Sequence, residues 1–186
     1  MIENSADKKK IFYMIVLILT FVAMIIGATL AYFSLIASQE KEGTVLYTGT
    51  LQINYIDGTY IKNPELIPTK NVNYNTTKGV YRNNFAVTSS GTLDQTISVE
   101  LEVSKNEFTK NGLKYAIYNS KGGLMNNGYV PQSGKINLTN NIYLKNNDSE
   151  RYTLIVWLDN TNYNQNYEMG NIITGKINIY AKQIKY

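Results

Sequence analysis

The sequence predicts an all-β fold, an antiparallel sandwich or barrel, preceded by one N-terminal hydrophobic helix. Three observations carry that expectation: an uncharged run from Ile11 to Ala37, alternation of apolar and polar residues in many stretches after Ser38, and turns rich in Gly and Asn between them. Alternation with period two puts the apolar side chains of a strand on one face. After Ser38 no stretch sustains the 3.6-residue stripe of an amphipathic helix.

The first element reads "DKKKIFYMIVLILTFVAMIIGATLAYFSLIA". About 20 apolar residues cover a bilayer's hydrocarbon core, so the run is long enough to span one. Lys8, Lys9 and Lys10 are expected to hold its start in the cytoplasm, which places everything after Glu40 outside. The expected organisation is a signal peptide or signal-anchor helix over 1–37 and an ectodomain over 38–186. The length of the run favours an anchor. Against that, Gly27, Ala28, Thr29 and Ala31 cluster near its end, and Thr29-Leu30-Ala31 offers the small side chains that a signal peptidase requires. Cleavage after Ala31 would leave Tyr32 as the new N-terminus.

The strands follow. "TLQINY" sets Leu51, Ile53 and Tyr55 opposite Gln52 and Asn54, and "TISVELEV" sets Ile97, Val99, Leu101 and Val103 opposite Ser98, Glu100 and Glu102. One face of each is expected in the core and the other in water. "GLKYAIYN" points Leu113, Tyr115 and Ile117 inward, and "RYTLIVWLDN" does so with Tyr152, Leu154, Val156 and Leu158, while Ile155 and Trp157 cover its opposite face. "GKINIYAKQI" alternates through Ile177, Ile179 and Ala181. Weaker strands are expected at Val80–Thr88, Leu124–Val130, Lys135–Leu138 and Asn141–Lys145, for a total of eight to ten.

Turn formers separate them at Asp57, Ser89, Lys110, Asn119, Asn126 and Asn146, where Gly and Asn tolerate the positive φ of tight turns. Lys62–Gly79 holds two of the three prolines and reads as a long loop or edge element, because proline cannot join a central ladder. Asn75, Asn137 and Asn147 begin glycosylation sequons of the kind that arise freely in an Asn-rich chain. Asp57, Asp148 and Glu150 lack the spaced oxygen ligands of a calcium loop.

Composition then narrows function. Cysteine and histidine are both absent, which removes disulfides, thiolate chemistry, imidazole bases and the usual zinc motifs. No paired acidic motif asks for carboxylate catalysis. No catalytic residue, cofactor site or metal site is therefore expected. The net charge of +4 draws on the Lys8–Lys10 cluster, and the rest of the chain is only mildly basic, so no nucleic-acid partner is expected.

Taken in order, "GATLAYFS" after the lysines and apolar run, "LYTGTLQINY", "FAVTSSGTLDQTISVELEV", "RYTLIVWLDN" and "NIITGKINIYAKQ" resemble the TasA, camelysin and SipW-substrate family of Gram-positive surface proteins over nearly the whole chain. The resemblance implies a jelly-roll sandwich, export with removal of the signal by a SipW-type signal peptidase, and assembly into extracellular matrix fibres. In such fibres a freed N-terminal segment becomes a strand of the next subunit. For this chain it implies a peptidase site at Thr29, Ala31 and Tyr32, and an assembly strand led by Tyr32, Phe33, Leu35 and Ile36. The implied partners are the peptidase, further copies of the chain, and the membrane before processing. Burying each of those large apolar groups in a neighbour would contribute about 1.5–3 kcal/mol, and a head-to-tail contact that does not close propagates into a filament. Camelysin-like proteins have been described as proteases, but the lack of histidine denies the usual metal ligands, so no activity is carried over.

Two other readings differ in class. A membrane-anchored surface domain with an adhesive role would keep its N-terminus at Met1. A surface hydrolase would need a catalytic group that the sequence does not display. A type IV pilin would need a Gly cut followed by an early Glu in the helix, which is not here.

Overall fold

The computed structural model describes residues 3–31, 35–38, 44–48, 51–56, 60–62, 64–90 and 92–184. The chain divides into two units, Met1–Phe33 and Ser34–Tyr186. The first is a helix, α1, Glu3–Ala31. Its apolar side chains from Ile11 to Met24 are exposed, and among them the Thr20 hydroxyl donates to the Val16 carbonyl at 2.8 Å, which turns it in along the helix wall. Among the described residues no helix is long and apolar enough to cross a membrane.

The second unit is an all-β sandwich, as the alternation predicts. Its strands are β1 Leu35–Ser38, β2 Thr44–Thr48, β3 Leu51–Ile56, β4 Ile61–Lys62, β5 Val80–Ser89, β6 Gln95–Asn106, β7 Leu113–Asn119, β8 Leu124–Tyr129, β9 Gly134–Leu144, β10 Ser149–Leu158 and β11 Ile173–Gln183. One sheet runs β1-β11-β6-β9, with β4 also on β11, and the other runs β2-β3-β5-β10-β7-β8. Every pairing between these strands is antiparallel.

The core lies between the sheets. Ile97, Val99 and Leu101 of β6, Leu113 and Ile117 of β7, Leu154 and Val156 of β10, and Ile177 and Ile179 of β11 are all fully buried. These are the positions that the alternation assigns inward. Asn at positive φ closes the turns at Asn111 (63°) and Asn147 (62°), and Gly122 does the same at 78°.

Three expectations are corrected. Lys135–Leu138 and Asn141–Lys145 are not two strands but one, β9. "LTNN" between them is a bulge: Asn141 takes φ 50°, the register with β6 shifts on both sides of Val99, and the extra polar groups bond β6 through Val99 N–H to Thr139 Oγ1 at 3.3 Å and Asn141 N–H to Ser98 Oγ at 3.2 Å. A bulge spends one or two residues without ending the ladder, so turn-like composition there does not mean a turn. Second, Leu35–Ser38 is a strand of the sandwich, so the β unit begins before residue 38. Third, β2 and β4 stand where the alternation marks no strand, because such short edge pieces escape periodicity.

The proline-bearing segment after β4 is a loop that does structural work. Val72 and Tyr74 pack on the outer face of the six-stranded sheet against a second cluster of Ala116, Tyr118, Ile155, Val80 and Trp157. Tyr74 meets Tyr118 edge-on at 5.7 Å, and the Arg82 guanidinium stands 5.1 Å from the Tyr74 ring centre while donating to the Tyr74 carbonyl. Ile155 is buried on this opposite face, with Trp157 partly buried beside it, as the sequence predicts.

Candidate assembly interface

The expected peptidase residues Thr29 and Ala31 are the last turn of α1, which ends at Ala31. Tyr32 and Phe33 lie outside the described residues. Leu35 and Ile36 open β1, with three residues between it and the end of the helix.

β1 lies along one edge of the first sheet. Its register on β11 is Leu35↔Ala181, Ile36↔Tyr180, Ala37↔Ile179 and Ser38↔Asn178. β4 occupies the same edge further down, with Thr174↔Lys62 and Gly175↔Ile61. Among the described residues β1 has no strand on its other side. The structure thus brings Leu35 and Ile36 onto a sheet of their own chain, whereas the resemblance places them on a neighbour's.

The two sides of β11 are unequal. β1 covers four residues, while β6 pairs with β11 along its entire length, from Ile173↔Asn106 to Gln183↔Gln95. At roughly 0.5–1.5 kcal/mol net per backbone bond, a four-residue ladder is worth only a few kcal/mol, and the β6 ladder several times that. β6, and not β1, therefore carries most of the backbone pairing on β11.

Side chains brace β11 further. Glu100 of β6 accepts from Tyr180 Oη–H at 3.0 Å and Asn178 Nδ2–H at 3.3 Å, pairs with Lys135 of β9 at 3.1 Å, and Asn178 also donates to Glu102 at 2.8 Å. Tyr180 and Asn178 are the residues opposite Ile36 and Ser38. Partial burial tends to raise the Glu100 pKa, but the bonds from Lys135, Asn178 and Tyr180 together outweigh it and hold the carboxylate below its ordinary 4.5. The same contacts raise the Lys135 pKa. This cross-strand network, spanning β11, β6 and β9, went unseen in the sequence. Glu100 and Glu102 read there only as wet-face residues, and nothing local marks which strand they reach.

Elsewhere Glu168 is buried, the one such carboxylate among the described residues. It accepts from the Thr109 N–H at 3.3 Å, from the Thr109 hydroxyl, and from Asn171 Nδ2–H at 2.8 Å, tying the β6–β7 turn to the loop before β11. Asp148 sits in the β9–β10 turn, its N–H bonded to the Lys145 carbonyl at 3.1 Å, and Asp57 lies outside the described residues. Among the described residues no group of three or more acidic side chains is placed to hold a metal.

No family model and no curated protein matches the chain. Among solved structures, a GH31 alpha-xylosidase from Xanthomonas citri aligns over 82% of this chain and 23% of its own, at 11% identity and a TM-score of 0.22. The chain spans less than a quarter of that protein's length, and the similarity is too low to carry fold or function across.

Proposed function

We propose that this protein is an exported structural subunit that self-assembles into extracellular fibres of the biofilm-matrix type by N-terminal donor-strand exchange, in the manner of the TasA, camelysin and SipW-substrate family it resembles. The observation that supports this reading best is β1: a short edge strand, four positions after the last residue of a helix, on a β11 that β6 pairs along its whole length. Strand exchange re-forms between copies the same ladder that β1 makes within one. Its net cost is small, and hydrophobic burial of the trimmed N-terminus tips the balance.

The strand order fits the jelly-roll part of the reading. β1-β11-β6-β9 facing β5-β10-β7-β8 is the order of two interlocked Greek keys, with the β2–β3 hairpin added at one edge. In the precursor, the segment over 1–37 would be the membrane-inserted signal, N-terminus cytoplasmic, a reading that draws on the uncharged sequence run Ile11–Ala37 and not on the helix as described. A SipW-type peptidase would cut after Ala31 and release the β unit to the outside of a Gram-positive cell. No catalytic role is assigned. The alternative, a membrane-anchored surface domain with an adhesive role, draws on the length of the apolar run.

The chain has no cysteine, so an introduced pair reports one contact only. Ile36→Cys with Tyr180→Cys places thiols at directly opposed register positions, where cross-strand Cβ atoms stand about 4.5–5.5 Å apart. Oxidised fibres from the native host should run as a ladder of covalent multimers on non-reducing gels. Cross-linking confined within single chains in assembled material would reject strand exchange, and intact chains starting at Met1 and confined to membranes would select the anchored alternative.

A further inference from the structure

The chain's only two arginines, Arg82 and Arg151, line one cleft on the outer face of the six-stranded sheet. The cleft has a volume of about 550 Å³ and is also lined by Tyr74, Asn84, Ser120 and Thr153, with no carboxylate in its wall. Its floor follows from the register of β5 on β10. Arg82 stands opposite Ile155, Asn84 opposite Thr153, and Arg151 opposite Ala86. Thr153 donates to Asn84 Oδ1 at 2.8 Å, so a polar rung separates the two cations.

The arginines are set up differently. Arg82 is fixed by the Tyr74 carbonyl and ring. Arg151 is exposed and makes no ion pair among the described residues. In a chain whose other basic residues are all lysine, the planar guanidinium is the group suited to forked recognition of carboxylates. Four residues of strand separate the two positions, about 13 Å, which fits two anionic groups on one extended ligand and not a single small ion. In the same wall the exposed Asn84 and Ser120 offer an amide and a hydroxyl of the kind that bond sugar hydroxyls. Of the aromatic rings in the wall, Tyr74 is engaged by Arg82 on its face and by Tyr118, while Phe85 and Tyr152 are buried, so none offers an open platform for stacking bases, as single-stranded nucleic acid would require.

We infer that this cleft binds an extended acidic glycan, a polysaccharide carrying carboxylates that Arg82 and Arg151 engage across the Asn84–Thr153 rung. It lies on the sheet that does not contain β1, so it is independent of strand exchange and would bind in monomer or fibre alike.

The test uses the full-length chain in neutral detergent, with polygalacturonate as probe and titration calorimetry as readout. Polygalacturonate should bind in a salt-sensitive way and neutral dextran should not. Arg151→Gln should weaken binding by about tenfold or more, and Arg151→Lys should restore it only partly, because an ammonium cannot make the forked contact. Ser120→Glu, at an exposed turn, should weaken it similarly by repulsion while leaving the thermal melt unchanged, which keeps the result readable if an arginine variant misfolds. Lys110→Gln removes the same charge away from the cleft and should have little effect. Equal losses in Lys110→Gln and Arg151→Gln, undiminished binding in both cleft variants, or tighter binding of a matched oligothymidylate would each overturn the assignment.

Discussion

Tyr152 and Glu100 illustrate opposite ways of treating a polar group in this sandwich. The Tyr152 side chain is 2% exposed against Phe85, and its hydroxyl has no hydrogen-bond partner among the described residues; burial, with the Glu150 charge nearby, pushes its pKa far up. A buried hydroxyl without a partner is a desolvation cost with no return. Tyr152→Phe should therefore leave stability unchanged or raise it by up to about 1 kcal/mol, read as the urea midpoint. Glu100 is satisfied several times over. Because its folded pKa lies below 4.5, its contribution is present above about pH 4.5 and is lost as pH falls through the lowered value. Glu100→Gln should flatten the decline in thermal midpoint below pH 4.5 and destabilise near neutrality, where the ionised form is the one held. An unchanged acid limb would show that the network is not linked to folding.

At the level of elements, most of the sandwich was legible because two-sided burial writes itself into alternation. β6, β7, β10 and β11 carry that pattern cleanly, and each buries the residues the pattern selects. What stayed hidden depends on a partner far away in sequence. β9 looks broken at Thr139–Asn141 because the bulge is defined by β6, and β1 is too short to display a period. The second cluster over β7 and β10 was half visible. Val72 and Tyr74 alternate with asparagines in "NVNYN", but the prolines nearby turn the reading toward a long loop or edge element, with no packing role assigned to it. The β11 bulge at Thr174/Gly175 is another long-range feature: a Cβ on Gly175 would stand 2.8 Å from the Glu102 carbonyl oxygen, a backbone atom that cannot step aside. Gly175→Ala should open the β11–β6 ladder there, costing about 1–3 kcal/mol, and hydrogen exchange of the Lys105 and Thr174 amides should quicken while the β10 amides keep their protection.

For the whole molecule, the candidate site was legible as residue types and not as geometry. Small residues before Tyr32 and apolar ones after it are the sequence features on which the proposed export and release segment rests. That Leu35 and Ile36 lie against β11 needs the three-dimensional fold, since about 140 residues of chain intervene between them and Ala181 and Tyr180. Under the proposed exchange, Leu35→Asp should abolish fibres at concentrations where the parent polymerises, seen by sedimentation and electron microscopy, while the trimmed β unit keeps the thermal midpoint set by its core. A parallel loss of both would mean that β1 holds the fold together and is not spare.

β4 lends that exchange a further property. It pairs with Thr174 and Gly175 on the flank of β11 where β1 lies, and is anchored there by Ile61, which is buried in the core. A guest segment entering the vacated berth would slide until it met this fixed abutment and then halt. Every joint would be seated to the same depth, and a polymer with a constant axial repeat needs no outside ruler.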